Sequence, residues 1–133
     1  MLELNFLSAV ELQLPFYRDM IRCGGGSLVF TSSLAGKVGS ACAATYSASK
    51  FAVQGYMNAL RAEGQFRGVR VTLACPGPVA TSITKNAMLG KPGAKVTVTQ
   101  EESDSTARMS ADRCARLMLR AEWGGLQEAW MSP

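Results

Sequence analysis

Apolar positions follow two rhythms along this chain. From residue 2 to residue 22, Leu4, Leu7, Ala9, Val10, Leu12 and Leu14 recur at the spacing of a helix face. Pro15 interrupts that pattern, because its ring removes an N–H and crowds the preceding turn. A kink, or two helical pieces meeting there, is expected. Residues 27–32 form a short apolar run ending in hydroxyls, which predicts a buried strand opening into a polar site. Gly24-Gly25-Gly26 lies after the helical pattern and before the strand, as a helix C-cap and turn would.

The clearest helix is predicted over 45–63, where Ala48, Ala52, Tyr56, Ala59 and Leu60 form a stripe of mostly small residues. Gly64 and Gly68 end it, and a glycine at 64 is expected to shorten it at a cost of ~1 kcal/mol. Val69–Cys75 alternates like a strand, and Pro76-Gly77-Pro78 stops the ladder. From Thr81 to Arg108 the chain is polar, weakly patterned and too long for a simple connection. Residues 110–121 predict an amphipathic helix, apolar at Ala111, Cys114, Ala115, Leu117 and Met118 and ended by Gly124-Gly125. Residues 128–131 predict a short final strand. Strand, helix, strand, helix, strand implies an α/β fold with about three parallel strands and flanking helices. Three strands with helices make a core of marginal size.

Composition narrows the chemistry. The 133 residues are one domain's worth of chain or less, with 47% apolar content and a net charge of +4. Arg108, Arg113, Arg116 and Arg120 concentrate that charge, and a solvated helix face accounts for them better than an anion stripe. No nucleic-acid motif accompanies them. Four cysteines stand without a C-x-x-C pair and histidine is absent, which excludes the usual zinc sets and any histidine-based triad. Reduced, partly buried cysteines suit an intracellular protein. The N-terminus has no signal-peptide pattern and no run is long enough for a transmembrane segment.

Tyr46-Ser-Ala-Ser-Lys50 carries the candidate chemistry. A tyrosine and lysine four apart share a helix face, and an ammonium beside a phenol suits acid–base work. Ser33, at the end of the predicted strand, adds a hydroxyl. With Pro76-Gly77-Pro78-Val79-Ala80-Thr81 downstream, these residues resemble the second half of a short-chain dehydrogenase/reductase. Asn5 matches the fourth member of that family's Asn–Ser–Tyr–Lys tetrad. The resemblance runs from about Leu2 to Trp130. It implies part of a Rossmann-type doubly wound parallel sheet, with residues 1–133 as a single incomplete domain in which the strand at 27–32 has lost its partner and presents an open edge.

The family's TGxxxGxG cofactor loop has no match here. Gly24–Gly26 stand in the reverse order, helix before strand, from a dinucleotide cradle. By resemblance, Tyr46 exchanges a proton with the substrate oxygen and Ser33 holds that oxygen. Lys50 lowers the tyrosine's pKa and binds the nicotinamide ribose, and Asn5 helps hold a water linking Lys50 to solvent. Pro76, Gly77, Val79 and Thr81 contact the nicotinamide end of NAD or NADP. The segment from Thr81 to Arg108 binds an alcohol or carbonyl substrate, and the 45–63 stripe suits a helix-bundle interface in a homo-oligomer when the domain is complete. Residues 109–130 resemble a branch with steroid- and retinoid-type reductases, some at internal membranes, so a cytoplasmic or internal-membrane location is expected.

A free tyrosine titrates near pH ~10, and neutral operation requires stabilising its anion by ~4 kcal/mol. One partly solvated lysine supplies part of that. The isolated chain is therefore expected to be inactive. The alternative is a non-enzymatic truncated homologue, or an interaction module pairing with a full-length relative.

Overall fold

The computed structural model describes residues 1–81 and 108–133. Three helices are α1 (Ser8–Arg22), α2 (Ala44–Gly64) and α3 (Ala111–Trp123). Three strands are β1 (Gly26–Thr31), β2 (Val69–Pro76) and β3 (Glu128–Met131), parallel and ordered β1-β2-β3. The register pairs Gly26 with Val69 through Thr31 with Ala74, and Leu73 with Glu128 through Pro76 with Met131. The outer edge of β1 pairs with no described strand, in line with the open edge expected from sequence.

Strand alternation distributes the core. Val69, Val71, Leu73 and Cys75 of β2 join Tyr17 of α1 and Val53, Met57 and Leu60 of α2 in one buried cluster, with Leu28 and Phe30 of β1 against it. Across the sheet, Ala74 and Met131 pack with Met109 and Cys114. Helices therefore cover both faces, α1 and α2 on one and α3 on the other.

Local signals set the boundaries. Gly24 has φ +84°, the Gly24 N–H bonds Ile21 O, and the Gly25 N–H bonds Met20 O, so the glycine run is a Schellman cap. Ser110 Oγ accepts from the Arg113 N–H at the start of α3. Pro76, expected outside the ladder, is the last residue of β2, opposite Met131, and the Gly77 N–H bonds the Met131 carbonyl.

One expectation is corrected. Helix α1 runs through Pro15 without dividing, and the irregular turn lies earlier, as a π-turn at Glu3–Leu7. Pro15 and Glu11, whose carbonyl the proline leaves without an N–H, are both exposed, so solvent can satisfy that carbonyl. Gly64 and Gly68 end α2 as expected: Gly64 is its last residue, followed by a 3₁₀ turn to Arg67 and by Gly68 at φ +74°. A β-carbon at Gly64 would lie 2.9 Å from Tyr17 Oη and 3.2 Å from Val69. The missing side chain lets the Tyr17 hydroxyl reach the Leu60 carbonyl at 3.1 Å. Burial, with Glu63 nearby, pushes the Tyr17 phenol up from its usual pKa.

Arg113, Arg116 and Arg120 are exposed, and Arg116 pairs with Asp112 at 2.7 Å, as a solvated face predicts. Among the described residues, no helix is long and apolar enough to cross a membrane. All four cysteines are free; Cys23 and Cys42 are exposed, Cys75 and Cys114 buried.

Candidate functional site

Parallel strands bring their C-terminal ends to one edge, and the segments leaving β1 and β2 there carry the candidate residues. Beyond Thr31, the Ser32 N–H bonds the Ala74 carbonyl at 2.7 Å. Ser33 then takes an extended conformation and caps the 3₁₀ turn Leu34–Gly36, its Oγ accepting from the Ala35 N–H at 3.2 Å. The cap occupies a lone pair and leaves the hydroxyl proton free to donate.

The 3₁₀ turn packs on α2 where the Tyr–Lys pair sits. A β-carbon at Gly36 would lie 2.9 Å from the Lys50 carbonyl, so glycine permits this approach. Lys50 Nζ lies 5.8 Å from the centre of the Tyr46 ring and 3.5 Å from the Thr31 carbonyl. Both side chains are half-buried. Burial lowers the Lys50 pKa from its usual 10.5, opposed by Cys75.

Asn5 reaches the same helix by another route. Its Nδ2 donates to Ser49 Oγ at 3.0 Å and to Met1 Sδ at 3.2 Å, and Ser49 Oγ donates to the Tyr46 carbonyl at 2.7 Å. Asn5 is thus tied to the Tyr46 backbone through Ser49, with no bond to Lys50 itself. The π-turn that contains Asn5 packs on α2 through Phe6, edge-on to Tyr56 at 5.9 Å.

The turn after β2 lies beside the Ser33 segment. A β-carbon at Gly77 would come within 3.1 Å of Leu34 Cδ1 and 3.3 Å of the Met131 carbonyl. Val79 bridges Met109 in parallel, through Ala80 N–H to Met109 O at 2.8 Å and Met109 N–H to Pro78 O at 3.0 Å. Thr81 is exposed at the limit of the described chain. The rest of the expected substrate segment, residues 82–107, lies outside the described residues.

Sequence reasoning did not single out several residues that build this site. Ser47 Oγ accepts from the Ser40 N–H at 3.2 Å and Ser49 links Asn5, although both lie inside the Tyr46–Lys50 motif. Gln54, one further turn along the Tyr46–Lys50 face, is buried and donates to Ser32 Oγ at 3.2 Å and to Cys75 Sγ at 3.0 Å. Lys37 Nζ, four residues past Ser33, pairs with Glu128 Oε2 at 2.6 Å and so ties the site segment to β3. Helical spacing could have signalled Gln54; nothing local joins Lys37 to Glu128.

A family model described as short chain dehydrogenase matches residues 1–92. The chain is 35% identical over 134 residues to dehydrogenase/reductase SDR family member 7 of Homo sapiens, covering 99% of this chain and 38% of that protein. It is 35% identical over 129 residues to an SDR family protein 7-like of Dictyostelium discoideum, covering 96% of this chain and 37% of that one. The chain therefore spans less than two fifths of the length of these curated relatives. Among solved structures it is similar to a short chain dehydrogenase of Burkholderia cenocepacia in complex with NADP. That match has a TM-score of 0.79 and 23% identity, covering 99% of this chain and 48% of that one. A short-chain dehydrogenase of Sphingobium yanoikuyae in complex with NADPH matches at TM-score 0.78 and 19% identity, covering 96% of this chain and 45% of that one. These likenesses establish the Rossmann-type fold.

Proposed function

The chain belongs to the short-chain dehydrogenase family, and on that premise we propose that it forms the catalytic part of an NAD- or NADP-dependent oxidoreductase interconverting an alcohol and a carbonyl compound. The observation that carries the proposal is the Tyr46–Lys50 pair on one helix face, at the edge where two strands end. Tyr46 exchanges a proton with the substrate oxygen. Lys50's ammonium stabilises the negative charge left on the phenolic oxygen as that proton departs. Ser33, with its acceptor side engaged by Ala35, donates its hydroxyl proton to the same substrate oxygen. Asn5, through Ser49, holds the first turn of α2 in place.

The residues present fit one end of the cofactor. Tyr46, Lys50 and the turn with Pro76, Gly77, Val79 and Thr81 would hold the nicotinamide and its ribose, and their common place at the edge where β1 and β2 end supports this. The nicotinamide, when bound, supplies or accepts the hydride. Among the described residues there is no strand–glycine–helix unit for the pyrophosphate, so in the proposed enzyme that cradle comes from elsewhere, and residues 1–133 are one part of its domain. NADP and NADPH accompany the two solved neighbours, which supports a nicotinamide cofactor for this chain. Exposed Leu4, Leu12 and Phe16 on the N-terminal helical segments and Phe51 on α2 support a helix-to-helix homo-oligomer.

Made continuous with a strand–TGxxxGxG–helix unit from this family, the chain is expected to oxidise NADPH or NADH with a carbonyl acceptor, and Tyr46→Phe is expected to lower that turnover by about 10²–10⁴-fold. The 133 residues alone are expected to show none. Undiminished turnover in Tyr46→Phe would overturn the catalytic assignment, and Tyr46-dependent turnover by the chain alone would overturn the need for a separate cradle. The outer edge of β1 supports a second reading, a module pairing with a full-length relative. Co-purification with such a relative, without turnover, would favour it.

A further inference from the structure

We infer that Gln54 is a positioning residue whose buried amide fixes the ends of β1 and β2 against the helix bearing Tyr46 and Lys50. The catalytic consequence rests on the oxidoreductase reading above; the geometry does not. Tyr46, Lys50 and Gln54 stand four apart, so one face of α2 carries all three. The last paired residues of the β1–β2 ladder are Thr31 and Ala74. Ser32 and Cys75 come next, and Cys75 points to the α2 side, in the cluster with Val53 and Met57.

Gln54, 4% exposed, spans this pair and donates from one nitrogen to both Ser32 Oγ and Cys75 Sγ. Ser32 and Cys75 are themselves 3% and 0% exposed, so these bonds face no competing water. Immediately beyond them the chain continues as Ser33 on one side and as the Pro76 turn on the other. Three successive residues are thereby held in three ways: Thr31 by Lys50 through its carbonyl, Ser32 by Gln54, and Ser33 by its own cap. The second bond extends the same hold to the nicotinamide-side turn.

Packing alone does not call for an amide here. Gln54 Oε1 is buried with no hydrogen-bond partner, and an unpaired buried acceptor lowers stability. A methionine would fill the volume without that penalty. What methionine cannot do is fix direction, since only the amide N–H groups set the distance between α2 and both strand ends. A displacement of about 1 Å in reacting groups lowers a rate by about 10²-fold, so a group controlling two such distances acts on the reaction without touching substrate.

The test uses Gln54→Met in two settings. In the 133-residue chain, amide hydrogen exchange at Ser32, Ala35 and Gly77 is expected to rise at least about tenfold, with exchange across α3 unchanged. In the chain joined to its cofactor unit, kcat is expected to fall about 10- to 100-fold and the cofactor KM to rise, since both Ser33 and the Pro76 turn lose their hold. The fall in kcat should be smaller when Ser33→Ala is already in place. Unchanged exchange at those amides, uniform loosening of all elements, or an equal kcat loss in the Ser33→Ala background would overturn the inference. If the joined protein with Gln54 intact shows no turnover, the oxidoreductase reading fails separately and exchange alone decides the role of Gln54. Should Gln54→Met not fold, Ser32→Ala removes the same bond from the strand side and is judged by the same exchange pattern.

Discussion

On the face of the sheet covered by α1 and α2, eight residues from both helices and β2 close into one buried cluster. On the face covered by α3, the buried cluster is Ala74, Met109, Cys114 and Met131. The candidate chemistry divides along the same line. Tyr46, Lys50 and Gln54 ride on the helix that packs on the larger cluster, whereas Val79, in the cofactor-side turn, is held by Met109 of the smaller one. Among the described residues, the proposed acid–base pair thus rests on the larger buried cluster and the turn on the smaller. Such a division suits a reaction in which proton transfer needs fixed geometry while a cofactor must enter and leave.

The strongest challenge to that division is chemical. In the chain joined to its cofactor unit, Tyr46→Phe is expected to reduce kcat by about 10²–10⁴-fold with little change in thermal midpoint, since the half-buried ring stays and only its hydroxyl goes. A matching loss of stability would mean that Tyr46 belongs to the core and not to the chemistry. The pH profile sharpens the point. Burial favours the neutral amine of Lys50, so its proton is lost below the usual 10.5 and the alkaline limb of kcat should begin there. In Lys50→Arg, whose guanidinium stays charged, that limb should move upward or disappear.

The next largest effects compare the clusters directly. Met57 is 0% exposed and Met109 2%, so exposure does not separate them. Met57→Ala is expected to cost toward the upper end of about 2–5 kcal/mol, because helix and strand on both sides of it cannot collapse into the gap. Met109→Ala is expected toward the lower end, with faster exchange of the Ala80 N–H, which bonds the Met109 carbonyl. Urea denaturation and hydrogen exchange together check this. Equal costs, with no local effect at Ala80, would erase the distinction between the faces.

What was legible in the sequence follows from how far each signal reaches. The Schellman cap at Gly24, the strand at 69–75, the final strand at 128–131 and the Tyr46–Lys50 pair are local patterns, and each stands where periodicity placed it. Pro15 does not divide α1, because a helix tolerates a proline when the carbonyl it leaves unpaired faces solvent, which periodicity does not record. The acceptors of Gln54, and the pairing of Lys37 with Glu128, depend on strand register and were invisible for the same reason. Motif spacing singles out Asn5 as a candidate, but not Ser49, to which its amide donates.

Gly64 tests that lesson on the larger face. Propensity alone predicts that Gly64→Ala stabilises α2 by about 1 kcal/mol. Packing predicts the reverse, because the new methyl would press on the Tyr17 hydroxyl and on Val69. Displacing Tyr17 would also break its bond to the Leu60 carbonyl. The substitution is expected to destabilise by about 1–3 kcal/mol. A rise in the urea midpoint would show that the junction of α1, α2 and β2 is looser than drawn. In a Tyr17→Phe background most of the added cost of Gly64→Ala should disappear, leaving the lesser squeeze against Val69 at 3.2 Å.

The smallest effect concerns the tie between the site segment and β3. Burial alone would raise the Glu128 pKa, but the Lys37 ammonium, the Trp130 indole N–H and Arg61 together hold it below the usual 4.5. A carboxyl depressed in the folded state adds stability above its unfolded value, and that stability is lost as pH falls through the folded value. Glu128 therefore contributes fully at neutral pH and progressively less below pH 4.5. Glu128→Gln should remove about 1 kcal/mol at neutral pH and flatten that part of the acid dependence, and Lys37→Met should do the same. Parallel stability–pH curves for the parent and Glu128→Gln would deny the pair any part in the fold. If the curves converge in acid as expected, exchange at Ala35 should rise along with the loss, because Lys37 directly follows the 3₁₀ turn that Ser33 caps.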